Sequence, residues 1–213
     1  MKKKQLIALI AALALFIAFF ILVYQPYARQ QSGITKQADD LKPSENLREP
    51  SSQVPPFALT NQYGKTFTEK DVDGKVFVAD FFFTSCDAIC PMMSTQLSRV
   101  QEAMGNEDRY RILSYSLDPE NDSVPVLRSF ARKFGARDSI WYLMTGDKKT
   151  IYKLGREGYM QSVLKDSNDV INHSPRFVLV DENRMIRGFY NGLDSLEVDM
   201  LINDMSYLIY KKQ

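Results

Sequence analysis

The feature that most limits the folds open to this chain is the run KVFVADFFF, Lys75 to Phe83. A near-continuous apolar stretch of this kind suits a strand buried on both faces, as in a sheet with helices packed on either side. Directly after it comes TSCDAICPMM, which holds the only two cysteines of the chain, Cys86 and Cys90, with Pro91 after the second. Proline suits the first turn of a helix, where its missing N–H costs nothing. Met93, Leu97, Val100 and Met104 then follow at helical spacing. A central strand therefore runs into a helix, and the cysteines occupy the junction, with Cys90 at the helix N-terminus.

The rest of the domain alternates in the same way. The sequence predicts a second strand over Arg109–Leu117 and a second helix over Val124–Gly135, with Gly135 as its C-terminal stop. A third strand follows at WYLMTG, then a short helix from Asp147 to about Leu154. Arg176–Gly192 reads as two strands around a turn at Asp181-Glu182-Asn183, and LDSLEVDMLINDMSYLIY as a closing amphipathic helix. The order β-α-β-α-β-α-β-β-α, with cysteines between a central strand and its following helix, resembles a thioredoxin fold: an α/β domain whose central mixed sheet is flanked by helices.

The N-terminus sets the expected compartment. Lys2, Lys3 and Lys4 precede eighteen uncharged apolar residues, Leu6 to Val23, nearly enough at about 1.5 Å per residue to cross a hydrocarbon core of about 30 Å. No small-residue cleavage site follows, so residues 1–24 are expected to be an uncleaved transmembrane helix. The lysines favour a cytoplasmic N-terminus, which places a single-pass chain in the cytoplasmic membrane with its domain facing the periplasm or another extracytoplasmic space. Residues 25–50 are polar and turn-rich and predict a flexible tether, leaving 51–213 as one domain. With 27 basic and 26 acidic residues and no basic block beyond the first lysines, the chain lacks the electrostatic footprint of a nucleic-acid binder.

Outside the cytoplasm, two cysteines can form a staple, a redox pair or part of a metal site. A helix N-terminus stabilises a thiolate, which is both the nucleophile and the metal ligand. The three intervening residues are compatible with a disulfide and equally with two sulfurs facing one ion, so spacing alone does not choose. A staple closing so short a loop would remove little entropy from the unfolded chain. The single histidine, His173, lies just before the strand that begins near Arg176, and Pro175 matches the position where the thioredoxin fold sets a proline beside its cysteine pair. His173 is thus expected within reach of both sulfurs. Two thiolates and an imidazole suit Cu(I), serve Cu(II) if further ligands join, and can hold zinc. Of the methionines, Met93, Met104, Met200 and Met205 read as core, while Met92 can approach the site.

Taken together, FFFTSCDAICPMMSTQLSRVQ, SYSLDPENDSVPVLRSFARKFG and INHSPRFVLVDENRMI resemble the SCO/SenC family, membrane-anchored copper chaperones of thioredoxin fold that serve cytochrome c oxidase. The resemblance covers about Pro55 to Tyr210. It implies that Cys86, Cys90 and His173 bind a copper ion, Cu(I) or Cu(II). It also implies delivery of copper to, or reduction of the cysteines of, the binuclear copper centre in an oxidase subunit. A thioredoxin-like reductant or another copper chaperone is a further implied partner. Asp87 departs from the family's usual proline after the first cysteine and is expected to oppose thiolate formation. Pro175 stands where the family usually has an apolar residue. Asp118 and Pro119 match the family but read as a strand exit and turn. Beside the chaperone stands a second reading, a membrane-tethered thiol–disulfide oxidoreductase using Cys86 and Cys90 as a redox pair, with His173 dispensable.

Overall fold

The computed structural model describes residue 5 and residues 41–161, 163–165 and 171–210. The expected transmembrane helix at Leu6–Val23 and the tether up to residue 40 lie outside the described residues. Among the described residues no helix is long and apolar enough to cross a membrane.

The compact unit begins at Lys42. Its elements are β1 (Ala58–Asn61), β2 (Thr66–Thr68), β3 (Val76–Phe82), α1 (Ile89–Met104), β4 (Tyr110–Ser116), α2 (Val124–Lys133), β5 (Trp141–Thr145), α3 (Lys148–Lys153), β6 (Val163–Lys165), β7 (Ile171–His173), β8 (Arg176–Val180), β9 (Ile186–Asn191) and α4 (Ser195–Tyr210). Seven strands form one mixed sheet in the order β2-β1-β5-β4-β3-β8-β9, and β6 pairs with β7 separately. Strands β3, β4 and β5 are parallel neighbours, whereas β8 runs antiparallel to β3 with Ala79 opposite Val178. The mixed sheet with flanking helices is the thioredoxin-like arrangement expected from the sequence.

All seven residues of β3 are buried, as the apolar run demands. Val76, Val78 and Phe82 face a core built with α1, α2 and α4, including Met93, Leu97, Val100, Leu127, Phe130, Leu201 and Met205. Phe77, Ala79 and Phe81 face a second core with Leu59, Phe67, Ile151, Leu154 and Tyr159. This alternation places Asp80 on the α1 face of the strand. Gly135, at φ 65°, ends α2 as predicted, since a left-handed residue is least strained without a Cβ.

Two hairpins were not expected. Strands β1 and β2 pair around a turn in which Gly64 N–H donates to the Asn61 carbonyl (2.9 Å), and β6 pairs with β7, which ends at His173. The end of the predicted tether is also tied down. Ser44 donates through its N–H (2.7 Å) and its hydroxyl to buried Asp204 on α4, and Arg48 N–H donates to the Arg187 carbonyl (2.6 Å) on β9. Residues 44–54 thereby cover the outer edge of β9, with Ser51 and Val54 N–H donating to the carbonyls of Ile186 and Arg184. An edge strand left open would present unpaired backbone groups.

Candidate functional site

The site forms where β3 ends. Its turn carries Cys86, α1 starts at Ile89, and Cys90 is the second residue of that helix. The N-cap residue Ala88 makes no side-chain cap, and the first turn of α1 contains no acidic residue. The Cys86 sulfur fills that role, accepting hydrogen bonds from the backbone N–H groups of Cys90, Ala88 and Ile89 as well as from the Cys90 thiol. The unpartnered donors of a helix N-terminus are thus spent on one sulfur.

The two thiols are unbridged and unlike each other. Burial works against a Cys86 thiolate, but the donors from Cys90, Ala88 and Ile89 outweigh it and the pKa is lowered. Cys90 is fully buried in the core, and burial pushes its pKa up; the facing Cys86 sulfur and the Asp80 carboxyl push the same way, against a hydrogen bond from the Phe83 N–H. Cys86, half-buried, is the more accessible thiol, and Cys90 lies buried beneath it. The net direction at Cys86 is opposite to that expected from Asp87, which is exposed to solvent, where water and salt screen its charge. Met92 is 56% exposed. Asp118 sits in a turn, as read from the sequence, accepting from Asn121 Nδ2 (2.8 Å).

Below the cysteines, Asp80 is buried in β3 and accepts a hydrogen bond from the Ser114 hydroxyl (2.5 Å), which in turn accepts from Trp141 Nε1 (2.9 Å). Burial pushes Asp80 up to about 7, with the Ser114 bond pulling the other way. Beside them Asp122, also buried, accepts from Ser116 Oγ (2.5 Å), from the Thr84 hydroxyl and from the Thr84 N–H (3.2 Å). Neither acid was singled out from the sequence. Asp80 left a readable signal, a charge inside a strand buried on both faces. Asp122 left none beyond a turn composition, because its partner Thr84 is 38 positions away.

His173 is the last residue of β7 and pairs through its backbone with Val163; its side chain lies outside the described residues. Topology still constrains it. Because β8 is antiparallel to β3, the start of β8 lies at the sheet end where β3 stops. The segment bearing His173 and Pro175 therefore arrives at the end from which the cysteine turn leaves.

The donor chemistry of the cysteine pair fits copper. Two sulfurs, one of them in a half-buried thiol whose pKa is lowered by backbone donors and the other buried beneath it, make a soft pair, which suits Cu(I) as a cargo.

Comparisons with known proteins agree with this geometry. The SCO1/SenC family profile matches residues 45–208. A SCO1/SenC family lipoprotein of Bacillus anthracis is 34% identical, with a TM-score of 0.71 over 76% of this chain and 99% of that one. The protein BsSco, described as a member of the Sco family of cytochrome c oxidase assembly proteins with a disulfide switch, is 30% identical, with a TM-score of 0.69 over 78% of this chain and 99% of its own. ScoI of Bradyrhizobium japonicum, solved with copper bound, is 25% identical, with a TM-score of 0.58 over 76% and 99% of the two chains. A match over most of the length, together with cysteines seated at the sheet end that the fold dictates, establishes that the chain belongs to the SCO1/SenC family.

Proposed function

We propose that this chain is a copper-handling assembly factor for cytochrome c oxidase, delivering copper to, or reducing the cysteines of, its binuclear copper centre. The observation that carries the reading is the unequal cysteine pair at the start of α1, with Cys86 lowered and accessible, and Cys90 raised and buried. The copper-bound Bradyrhizobium relative supports one half of the reading, and the disulfide switch in BsSco the other. Cys86, Cys90 and His173 are the proposed ligands of the cargo. Because Cys90 holds its proton in the free protein, loading copper on both sulfurs releases that proton, so affinity rises with pH.

The same pair supports a second reading, reduction of a target disulfide. The Cys86 thiolate attacks one target sulfur and expels the other as a thiolate, forming a mixed disulfide. Cys90 then attacks Cys86 Sγ, its proton passing to an expelled target sulfur as the second one leaves. Two electrons pass to the target, and the chain keeps a Cys86–Cys90 disulfide until a thioredoxin-like reductant resets it. We further propose that Leu6–Val23 anchors the chain in the cytoplasmic membrane, with the domain on the outer side.

His173→Ala in the full-length chain separates the readings. Cu(II) prefers nitrogen and oxygen donors, whereas Cu(I) accepts two thiolates alone. The chaperone reading expects strongly weakened Cu(II) binding, Cu(I) binding partly kept and loss of oxidase assembly, with thiol exchange within several-fold of the unaltered chain. Full oxidase activity of the variant in cells at limiting copper would favour the oxidoreductase.

A further inference from the structure

The turn between β3 and α1 is held from outside by a residue of the β4–α2 loop. Asp122 has both carboxyl oxygens within reach of the Thr84 N–H, at 3.2 and 3.3 Å, and it also accepts from the Thr84 hydroxyl. It is itself fixed. Its own N–H donates to the Asp118 carbonyl (2.8 Å), and Ser116 Oγ donates to its Oδ2 (2.5 Å). Ser116 stands opposite Phe82 in the β3–β4 ladder, and the Leu117 N–H donates to the Phe82 carbonyl (2.8 Å). A buried acid satisfied by three donors is a rigid anchor, because a buried polar group that moves away from its partners finds no water to replace them.

What that anchor holds is the peptide unit between Phe83 and Thr84. The Phe83 N–H hydrogen-bonds the Cys90 sulfur, and the Phe83 carbonyl accepts from the Cys86 N–H (3.3 Å). The Thr84 N–H, on the same peptide unit as that carbonyl, goes to Asp122. Three consecutive backbone groups thus address Cys90, Cys86 and Asp122 in turn. Rotation of the Phe83–Thr84 plane cannot release Asp122 without also turning the carbonyl away from Cys86.

We propose that Asp122 is a positioning residue for the cysteine pair: by gripping Thr84 it fixes the turn that carries Cys86, and so sets the separation of the Cys86 and Cys90 sulfurs that a copper ion or a disulfide must meet. The inference rests on the functional reading above and deepens it. A pair held open favours the ion, whereas a disulfide needs the sulfurs close and correctly angled. Loosening the grip therefore alters the balance between the two states instead of abolishing either.

The test uses full-length protein in detergent. Thr84→Val keeps the branched Cβ and the backbone N–H but removes the hydroxyl, Thr84→Ser keeps the hydroxyl, and Asp122→Asn weakens the anchor. Two quantities are read: the dithiol–disulfide equilibrium constant against a glutathione buffer, and the thiolate-to-Cu(II) absorption band. Thr84→Val and Asp122→Asn are expected to shift the equilibrium constant by about tenfold, the effect of losing one hydrogen bond to a buried acid, and to move the band. Thr84→Ser is expected to stay within about twofold. Melting of the dithiol form of Thr84→Val should stay within a few degrees, so that the shift is not a symptom of unfolding. If Asp122→Asn does not fold, the Thr84 pair still decides. An unaltered chain that binds copper and closes its disulfide, beside a Thr84→Val variant with the same constant and band, overturns the positioning role alone. An unaltered chain that does neither overturns the functional reading and the inference with it.

Discussion

At the scale of single residues, the site depends on unequal neighbours. Cys86 sits where three backbone N–H groups converge, and Cys90 is sealed in the core beneath it. Iodoacetamide should therefore label Cys86 much faster than Cys90 at neutral pH, and the rate at Cys86 should rise with a midpoint below that of an ordinary thiol. Mass spectrometry of partly labelled protein checks this, and equal labelling would contradict the assignment of nucleophile and buried partner. Asp80 makes a separate prediction about stability. Its folded pKa is raised from 3.8 to about 7, so the folded chain binds a proton that the unfolded chain has released. The associated stability is present in full below about pH 4 and is lost as pH rises towards 7, a span on the order of 4 kcal/mol. Asp80→Asn cannot titrate and should lack that decline. Urea unfolding of both chains at pH 5 and pH 8 should show the variant gaining on the unaltered protein at the higher pH, and a constant difference would refute the burial argument.

At the scale of elements, the strand–turn–helix unit does most to position the site, and it was legible because its signals are local. An apolar run, two cysteines and a proline lie within twenty residues, and each demands a particular place in the unit. The two hairpins were not legible, since strands of three or four residues carry too few side chains to show alternation. The docking of residues 44–54 escaped notice for another reason. A polar segment reads as a tether unless its partners are known, and here they lie on α4 and β9, as with Ser44 and Asp204, 160 positions apart. Asp122 was hidden likewise, its partner Thr84 lying 38 positions away. The strap adds a prediction: Ser44→Ala removes the hydroxyl donor to buried Asp204, leaving that carboxyl with the Ser44 N–H, the Tyr190 hydroxyl (2.7 Å) and Asn203. A loss of about 1–3 kcal/mol in urea unfolding is expected. Proteolysis near residues 42–50 should quicken in step, and an unchanged stability would mean that the strap contributes nothing to the fold.

At the scale of the whole molecule, the proposed membrane anchor would hold a domain whose half-buried Cys86 lies over the buried Cys90. Protease added to spheroplasts of cells expressing the chain should remove the domain without lysis, as expected if Lys2–Lys4 stay inside; protection until lysis would reverse the topology. Copper and a disulfide compete for the same sulfur lone pairs, and on the proposed outer side of the membrane no glutathione pool would hold the cysteines reduced. That competition is tested by loading the reduced full-length chain anaerobically with copper, oxidising the cysteines and measuring the metal retained on the protein. One copper is expected per reduced chain, absent from Cys86→Ser and Cys90→Ser chains for Cu(I), with release of the metal as the Cys86–Cys90 disulfide closes. Stoichiometric copper retained by a chain whose two cysteines are shown by mass spectrometry to be bridged would contradict it.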